Sequence, residues 1–328
     1  MQTREATMGR RVFQAMAISV MMMFLFVWLF ATALHRPQPH DLRVGIVGPE
    51  TMIETVMAGA EANAPGTFVF TSYPSADEAR SAIKERDVDG ALIIGSSEPQ
   101  ILVAGAAGQA ASGAIVGAFT AMAEAFGLSP TVEDVQPLPD SDSRGLVPFF
   151  LVLGVSVSAF LFQVLAREQM RRSGLMVTAV SLAGFAVFGG LVAALAVGVA
   201  VGFASGYWAL AGVCALLALA VAAATAACCR LFGRAGIGVA GLIIILLGNA
   251  SSGSVIGASF LPQPFRSLSP VLPAGSGLEA VRSVLYFEGA GVGWPLGILA
   301  LWVAGSFVVL AGTALWQTRA GRPMEVSA

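Results

Sequence analysis

The 328-residue chain carries 18 basic and 20 acidic side chains, so only 12% of it is charged, about half the roughly 25% of an ordinary soluble domain. With 56% hydrophobic residues and 38 glycines besides, the composition excludes an ordinary soluble enzyme. A net charge of −2 offers nucleic acid nothing to bind. The single lysine, Lys84, sits in SAIKERD and not in the GxxxxGK[ST] loop that cradles phosphates, so the chain does not hydrolyse ATP by that route.

The charges are unevenly placed. Residues 41–144 hold 20 of the 38, whereas the 172 residues from Gly145 to Trp316 hold 10. That pattern predicts one water-facing block and one lipid-facing block.

Crossing about 30 Å of hydrocarbon takes about 20 helical residues. Six uncharged apolar stretches meet that length, at Val12–Leu34, Leu146–Ala166, Leu175–Ala204, Trp208–Cys229, Ala235–Gly257 and Trp294–Trp316. Arginines 4, 10 and 11 precede the first, 167, 171 and 172 follow the second, 230 and 234 follow the fourth, and 319 and 322 follow the sixth. With six spans all four groups share one side, and the positive-inside rule makes that side the cytoplasm. The organisation expected is therefore a cytoplasmic N-terminus (1–11), transmembrane helix 1 (12–34), an extracytoplasmic domain (41–144), a five-helix membrane domain (146–316) and a cytoplasmic tail (317–328). The predicted fold class is a multi-spanning α-helical membrane protein, N-in and C-in, with an α/β extracytoplasmic domain between helices 1 and 2.

Two features compete with this reading. Ile101–Ala123 is also uncharged, but it is rich in Gly and Ala, contains Gln109, Ser112 and Thr120, and as a span would put Arg167, Arg171 and Arg172 on the wrong side. It is read as a strand followed by a helix. Ala31-Thr32-Ala33 resembles a signal-peptidase site and Arg10-Arg11 a twin-arginine signal. The apolar run exceeds the 7–15 residues of a signal-peptide core, so an uncleaved anchor is expected.

Within 41–144, short β-like runs alternate with amphipathic helices: strands at 42–48, 67–73, 91–95 and 100–105, helices at 50–63, 75–86 and up to about 126, and a last strand near 132–138. Ser75 with Glu78 three residues on forms a capping box. The block carries 15 acidic and 5 basic side chains, read as a solvated acidic surface because it contains no DxDxDG-like loop.

No HExxH, GxSxG, CxxC or GxGxxG is present, and no catalytic residue, metal or cofactor is expected. His35 and His40 belong to a Pro-rich linker, and Cys214, Cys228 and Cys229 all fall in the fourth span. Proton- or sodium-coupled transporters place ionisable groups at membrane depth. These spans have none, so any transport must draw its energy from another polypeptide.

The fifth span ends in polar small residues, Asn249, Ser251, Ser252 and Ser254, which serve either as helix-packing glue or as the lining of a path. Beyond them Pro262, Pro264, Pro270 and Pro273 cannot continue a helix. Ser276–Tyr286 then resumes helical spacing, with Glu279 and Arg282 at i, i+3. The element at 260–290 is too apolar for a free loop and too broken for a span, and it reads as re-entrant or interfacial on the outer face. Gly198/Gly202, Gly253/Gly257 and Gly293/Gly297 have the spacing of close helix approach, which 38 glycines also generate by chance.

A large domain between spans one and two, five clustered spans after it, and a Gly/Ser-rich span running into FLPQPFRSLSPVLPAGSGLEAVR (260–282) together resemble the ABC-2-type exporter permeases. YPSADEARSAIKERDVDGALIIG (73–95) and LVPFFLVLGVSVSAFLF (146–162) are similar to the phage-infection-protein (Pip/YhgE) branch. The resemblance implies a multi-pass protein of the bacterial inner membrane, a homodimer or paralogous heterodimer. It implies export of a hydrophobic or amphiphilic compound, powered by a separate ATP-binding subunit, with membrane lipid but no nucleic acid as partner. A path or gate then falls to Asn249, Ser251, Ser252, Ser254, Pro262, Pro264, Pro270, Pro273, Glu279 and Arg282. ATPase coupling falls to Arg167, Glu168, Arg171 and Arg172 in AREQMRRSG, an element short for this family. That shortness favours the alternative role found in the Pip/YhgE branch, a phage receptor or secretion-system accessory acting through the extracytoplasmic domain.

Overall fold

A computed structural model of the chain describes residues 2–95, 98–203, 206–254 and 256–319. Helix α1 (Gln2–Leu34) leads into an α/β unit of β1 (Leu42–Val47), α2 (Glu50–Asn63), β2 (Phe68–Ser72), α3 (Ala76–Lys84), β3 (Gly90–Ile93), β4 (Gln100–Val103), α4 (Gln109–Ala125) and β5 (Thr131–Asp134). The sheet order is β2-β1-β3-β4-β5, parallel except for the antiparallel β3–β4 pair. Period-2 alternation decides which face each side chain serves. Leu42, Val44, Ile46, Ile101 and Val103 pack under α2 and α4, whereas Ala91 and Leu102 pack under α3. The Ser75 cap forms as the sequence predicts, its hydroxyl accepting the Glu78 N–H at 3.2 Å.

The second half is a bundle of α5 (Val147–Arg172), α6 (Leu175–Val201), α7 (Tyr207–Phe232) and α12 (Gly293–Arg319), with shorter pieces between α7 and α12. Among the described residues, five helices are long and apolar enough to cross a membrane: Val12–Leu34, Val147–Met170, Leu175–Val201, Tyr207–Phe232 and Gly293–Trp316. Helix α7 is the axis, packed on α5, α6 and α12. Its run Ala222-Ala223-Ala224-Thr225-Ala226-Ala227 is buried throughout, because small side chains let neighbouring backbones come close where lipid supplies no hydrophobic drive between helices. Helix α1 packs instead on the segment around Leu246, Ala250, Leu261 and Phe265 and leaves most of its apolar surface open.

The fifth apolar stretch is shorter than its sequence suggests. It forms α8 (Ala235–Ala240), a π-helical segment (Gly241–Leu247) and α9 (Gly248–Ser251), 17 residues in all, and does not reach Gly257. Gly253 at φ +66 turns the chain out of the helix. Segment 258–272 is a 3₁₀ turn followed by α10 (Phe265–Leu268), and α11 (Pro273–Tyr286) starts with proline in its first turn, where no N–H is needed.

None of the three GxxxG spacings makes a helix contact. Gly253 and Gly257 lie in turns, Gly202 ends α6, and Gly293 and Gly297 face open space. Between the long helices a close approach occurs at Gly190, where a Cβ would stand 2.4 Å from the Ala211 carbonyl oxygen and 2.7 Å from the Ala215 nitrogen on α7. Backbone cannot yield as a flexible side chain does, so Gly190→Ala is expected to destabilise the bundle by about 1–3 kcal/mol. Gly184→Ala, with nothing within 4 Å, should be neutral or stabilising by up to about 1 kcal/mol. Tryptophan-monitored thermal unfolding of the two variants in detergent should show midpoint shifts of opposite or clearly unequal sense.

Candidate functional site at the junction of the two halves

Helix α11 carries Glu279 and Arg282 in an otherwise apolar sequence, and the fold brings a third charge to them. The turn after α3 places Arg86 at φ +68, the left-handed region that usually falls to glycine at a helix C-terminus. A non-glycine residue there costs stability locally, and the side chain supplies the reason. Arg86 Nη2 donates to Glu279 Oε2, and Nη1 donates to Ser283 Oγ at 2.6 Å and to the Glu279 carbonyl at 3.2 Å. Its guanidinium also lies 5.0 Å from the Phe287 ring centroid. From the other side Arg282 Nη1 meets Glu279 Oε1 at 3.1 Å, and its Nη2 reaches the Ser254 carbonyl at 3.4 Å.

The network extends into the sheet. Arg43 on β1 donates to the Arg86 carbonyl at 2.9 Å and to Asp89 Oδ1 at 2.7 Å. Arg43, Arg86, Asp89, Glu279 and Arg282 border a partly open cavity of about 270 Å³, lined also by Ala107, Gly108 and Ala111 and by residues 256–260. Burial on its own would push the Glu279 carboxyl up, but Arg86 and Arg282 outweigh that and hold it below the ordinary carboxylate value.

Further ties join the halves. Asp142 receives the Leu146 and Val147 N–H groups, each at 3.0 Å, satisfying orphan donors at the start of α5, and also takes the Tyr286 hydroxyl. Gln136 Nε2 donates to the Tyr286 carbonyl at 2.6 Å. Arg266 pairs with Asp41 at 3.1 Å. Tyr286 and Phe287 enter the α3 side of the sheet core, while Leu278 and Val281 pack with Leu217 of α7. Helix α11 is therefore shared between two hydrophobic cores.

Of the residues singled out from sequence, Glu279, Arg282 and Ser254 meet at this junction. Asn249, Ser251 and Ser252 are buried, and each side chain bonds its own helix, to the carbonyls of Ile245, Leu247 and Asn249 at 2.7, 2.6 and 2.8 Å. Pro273 is buried at the start of α11, Pro262 is half-buried, and Pro264 and Pro270 are exposed. Arg167 lies at the opposite end of the bundle beside a pocket with Gln163, Thr178 and Arg230, and Glu168 nearby is exposed. The side chains of Arg171 and Arg172 lie outside the described residues. Sequence reasoning missed Arg86, Asp142 and Gln136. The available signal was that Glu279 and Arg282, the two charges of α11, needed partners from elsewhere.

A second feature lies at the end of the bundle nearest the α/β unit. Helices α5 and α6 flank an apolar groove of about 600 Å³, lined by Phe150, Val155, Phe188 and Val192 among others, with Ser158 its one polar side chain.

These features define a class: a multi-pass helical membrane protein with no Asp, Glu, Lys, Arg or His in the middle of its long apolar helices among the described residues, whose α/β unit is bound to the bundle by a partly buried charged clamp. The family is established by a direct match. The model of the ABC-2 family transporter protein matches residues 12–312, and the chain belongs to that transporter family. ABC-2 permeases generally work with a separate ATP-binding subunit. No curated protein and no solved structure matches the chain.

Because the Glu279 pKa is lowered by folding, its contribution is present above the ordinary carboxylate range, about pH 4–5, and is lost as pH falls through the lowered value. Hydrogen exchange across 76–90 and 273–288 should therefore be flat from pH 8 to 5 after correction for intrinsic rates and rise below it. Glu279→Gln should raise exchange in both segments at neutral pH, at a cost of about 1–3 kcal/mol. That lies below the 3–5 kcal/mol of a fully buried pair, because the Glu279 side chain keeps 34% exposure.

Proposed function

We propose that the chain is the membrane subunit of an ABC-2-type exporter that moves a hydrophobic or amphiphilic compound outward across the bacterial cytoplasmic membrane, powered by a separate ATPase. In this reading it has six crossings, the fifth being the short Ala235–Ser251 helix, with both termini inside and the α/β unit outside. It works as a homodimer or paralogous heterodimer and is of the Pip/YhgE type. The path leads from the bilayer through the apolar α5–α6 groove to the outer cap, where Asn249–Ser254, the Pro262–Pro273 segment and the Glu279–Arg282 pair form the gate. Arg167, Glu168, Arg171 and Arg172 contact the ATPase.

The observation that carries this reading is α11 itself. A helix of 14 residues, too short to span, is seated in the bundle head and tied by charge to the α/β unit. Movement of either half is thereby transmitted to the other at the outer end of the groove. The family match and the confinement of Asp, Glu, Lys and Arg to the ends of the long apolar helices support it, since an uncharged path suits an apolar cargo and leaves ion coupling without a carrier.

One observation favours a second reading, in which the α/β unit acts as a receptor or secretion accessory without transport. Only Ser173 and Gly174 separate α5 from α6, a slight handle for an ATPase. Affinity purification of the native complex distinguishes the two. The exporter reading predicts an ATP-binding subunit in stoichiometric amount, and Arg171→Glu with Arg172→Glu should reduce its recovery by about tenfold, which corresponds to 1.4 kcal/mol. Recovery of no ATPase from native membranes, with the protein folded, would refute the powered-export reading.

A further inference from the structure

The α2–α4 face of the α/β unit has a cleft that the clamp does not use. Helices α2 and α4 lie on the same face of the sheet but stand apart, leaving about 620 Å³ between them. Cores of soluble domains are packed with few voids larger than a water molecule, whereas apolar cavities of roughly 300–1,000 Å³ are the size of ligand sites. The gap has a local cause. Both helices present small side chains to it, Gly59, Ala60 and Ala64 from one side and Ala118, Ala121 and Ala125 from the other. Its floor is aromatic: the Phe68 and Phe119 rings lie 5.2 Å apart, and Phe126 stands at the mouth, 68% exposed.

Charge narrows the occupant. Residues 49–72 and 108–130, which include every residue lining the cleft, contain Glu50, Glu54, Glu61 and Glu124 and no Lys, Arg or His. None of these carboxylates is a lining residue; Glu54, Glu61 and Glu124 are exposed and adjoin the lining positions Thr55, Ala60 and Ala125 in sequence, and Glu61 Oε2 accepts the Gly66 N–H at 3.3 Å beyond the end of α2. An apolar tail is favoured inside, and a head group at the rim meets negative potential from both walls. A fatty acid or an alkyl sulfate would set its anion against these carboxylates, whereas a cation is attracted.

We propose that the α2–α4 cleft binds a cationic amphiphile, with the apolar tail over Phe68 and Phe119 and the positive head among Glu54, Glu61 and Glu124. This assigns the exporter a substrate class and rests on the exporter reading only for the steps after capture; binding is measured without transport.

The test uses the full-length protein in phosphatidylcholine nanodiscs and a diazirine-bearing alkyltrimethylammonium below its critical micelle concentration, with adducts mapped by mass spectrometry. Adducts are expected on residues 55–68 and 118–126, displaced by dodecyltrimethylammonium and not by dodecyl sulfate. The combination E54Q, E61Q and E124Q should raise half-saturation by about tenfold and flatten its salt dependence. Ala121→Phe, at an exposed position, should fill the cleft and remove the adducts with the unfolding midpoint unchanged. Adducts confined to the membrane helices would overturn the assignment. So would equal displacement by the anionic analogue, or labelling unaffected by Ala121→Phe. Binding that survives where no ATPase is recovered would leave the cleft assigned and the export reading refuted; the reverse outcome would leave export standing without this site.

Discussion

The charged contact at the centre of the junction between the two halves is the one around Glu279. Glu279 is the single carboxylate of α11, and it lies between Arg86 from the sheet side and Arg282 from its own helix. The attraction of two guanidinium groups exceeds what burial costs the carboxylate, so it stays ionised in a region where an unpaired charge would not be tolerated. Arg86 accepts a left-handed backbone to make the contact, and Arg43 with Asp89 holds that turn in place. Without the clamp, the Tyr286–Phe287 end of α11 would keep only its Asp142 and Gln136 bonds and its place in the sheet core, and the bundle would retain a half-buried charged helix with no counter-ion from the sheet.

The resulting geometry is economical in polar groups. The long apolar helices carry none of their charge at depth, and the bundle is organised around an alanine-rich α7 that α6 approaches through Gly190. Hydroxyl and amide groups at the end of the fifth apolar stretch are turned back onto their own helix, which keeps them satisfied while the chain leaves the helix at Gly253. The polar part of the membrane half is thus concentrated at its two ends: arginines at the end bearing the α5–α6 turn, and the clamp at the end bearing the α/β unit. An apolar groove opens beside the second of these.

Much of this was legible in the sequence, and the reasons are local. Strands and helices of the α/β unit follow from period-2 and 3.6-residue patterns, and the Ser75 cap from a four-residue box. The long apolar runs follow from length alone. Three things were not legible. The helix over 235–251 stops short of the end of the apolar run, because its end is set by a glycine turn that hydropathy does not register. The GxxxG spacings gave no contact, while Gly190, which lies in no marked motif, sits under α7; helix approach is decided by which faces meet in three dimensions. Arg86 and Asp142 looked like two more charges on an acidic surface, because their partners lie 193 and 144 residues away in sequence and no local pattern links them.

The clamp makes the α/β unit and the bundle one body, and a distance measured between them tests this most directly. Spin labels at Met57→Cys on α2 and Val308→Cys on α12, with Cys214, Cys228 and Cys229 replaced, report the separation of the halves by double electron–electron resonance. A single narrow distance distribution is predicted for the otherwise unaltered protein, broadened when Arg86 is changed to Ala. A broad distribution before that change, or one that Arg86→Ala leaves as it was, would contradict a rigid, clamped junction.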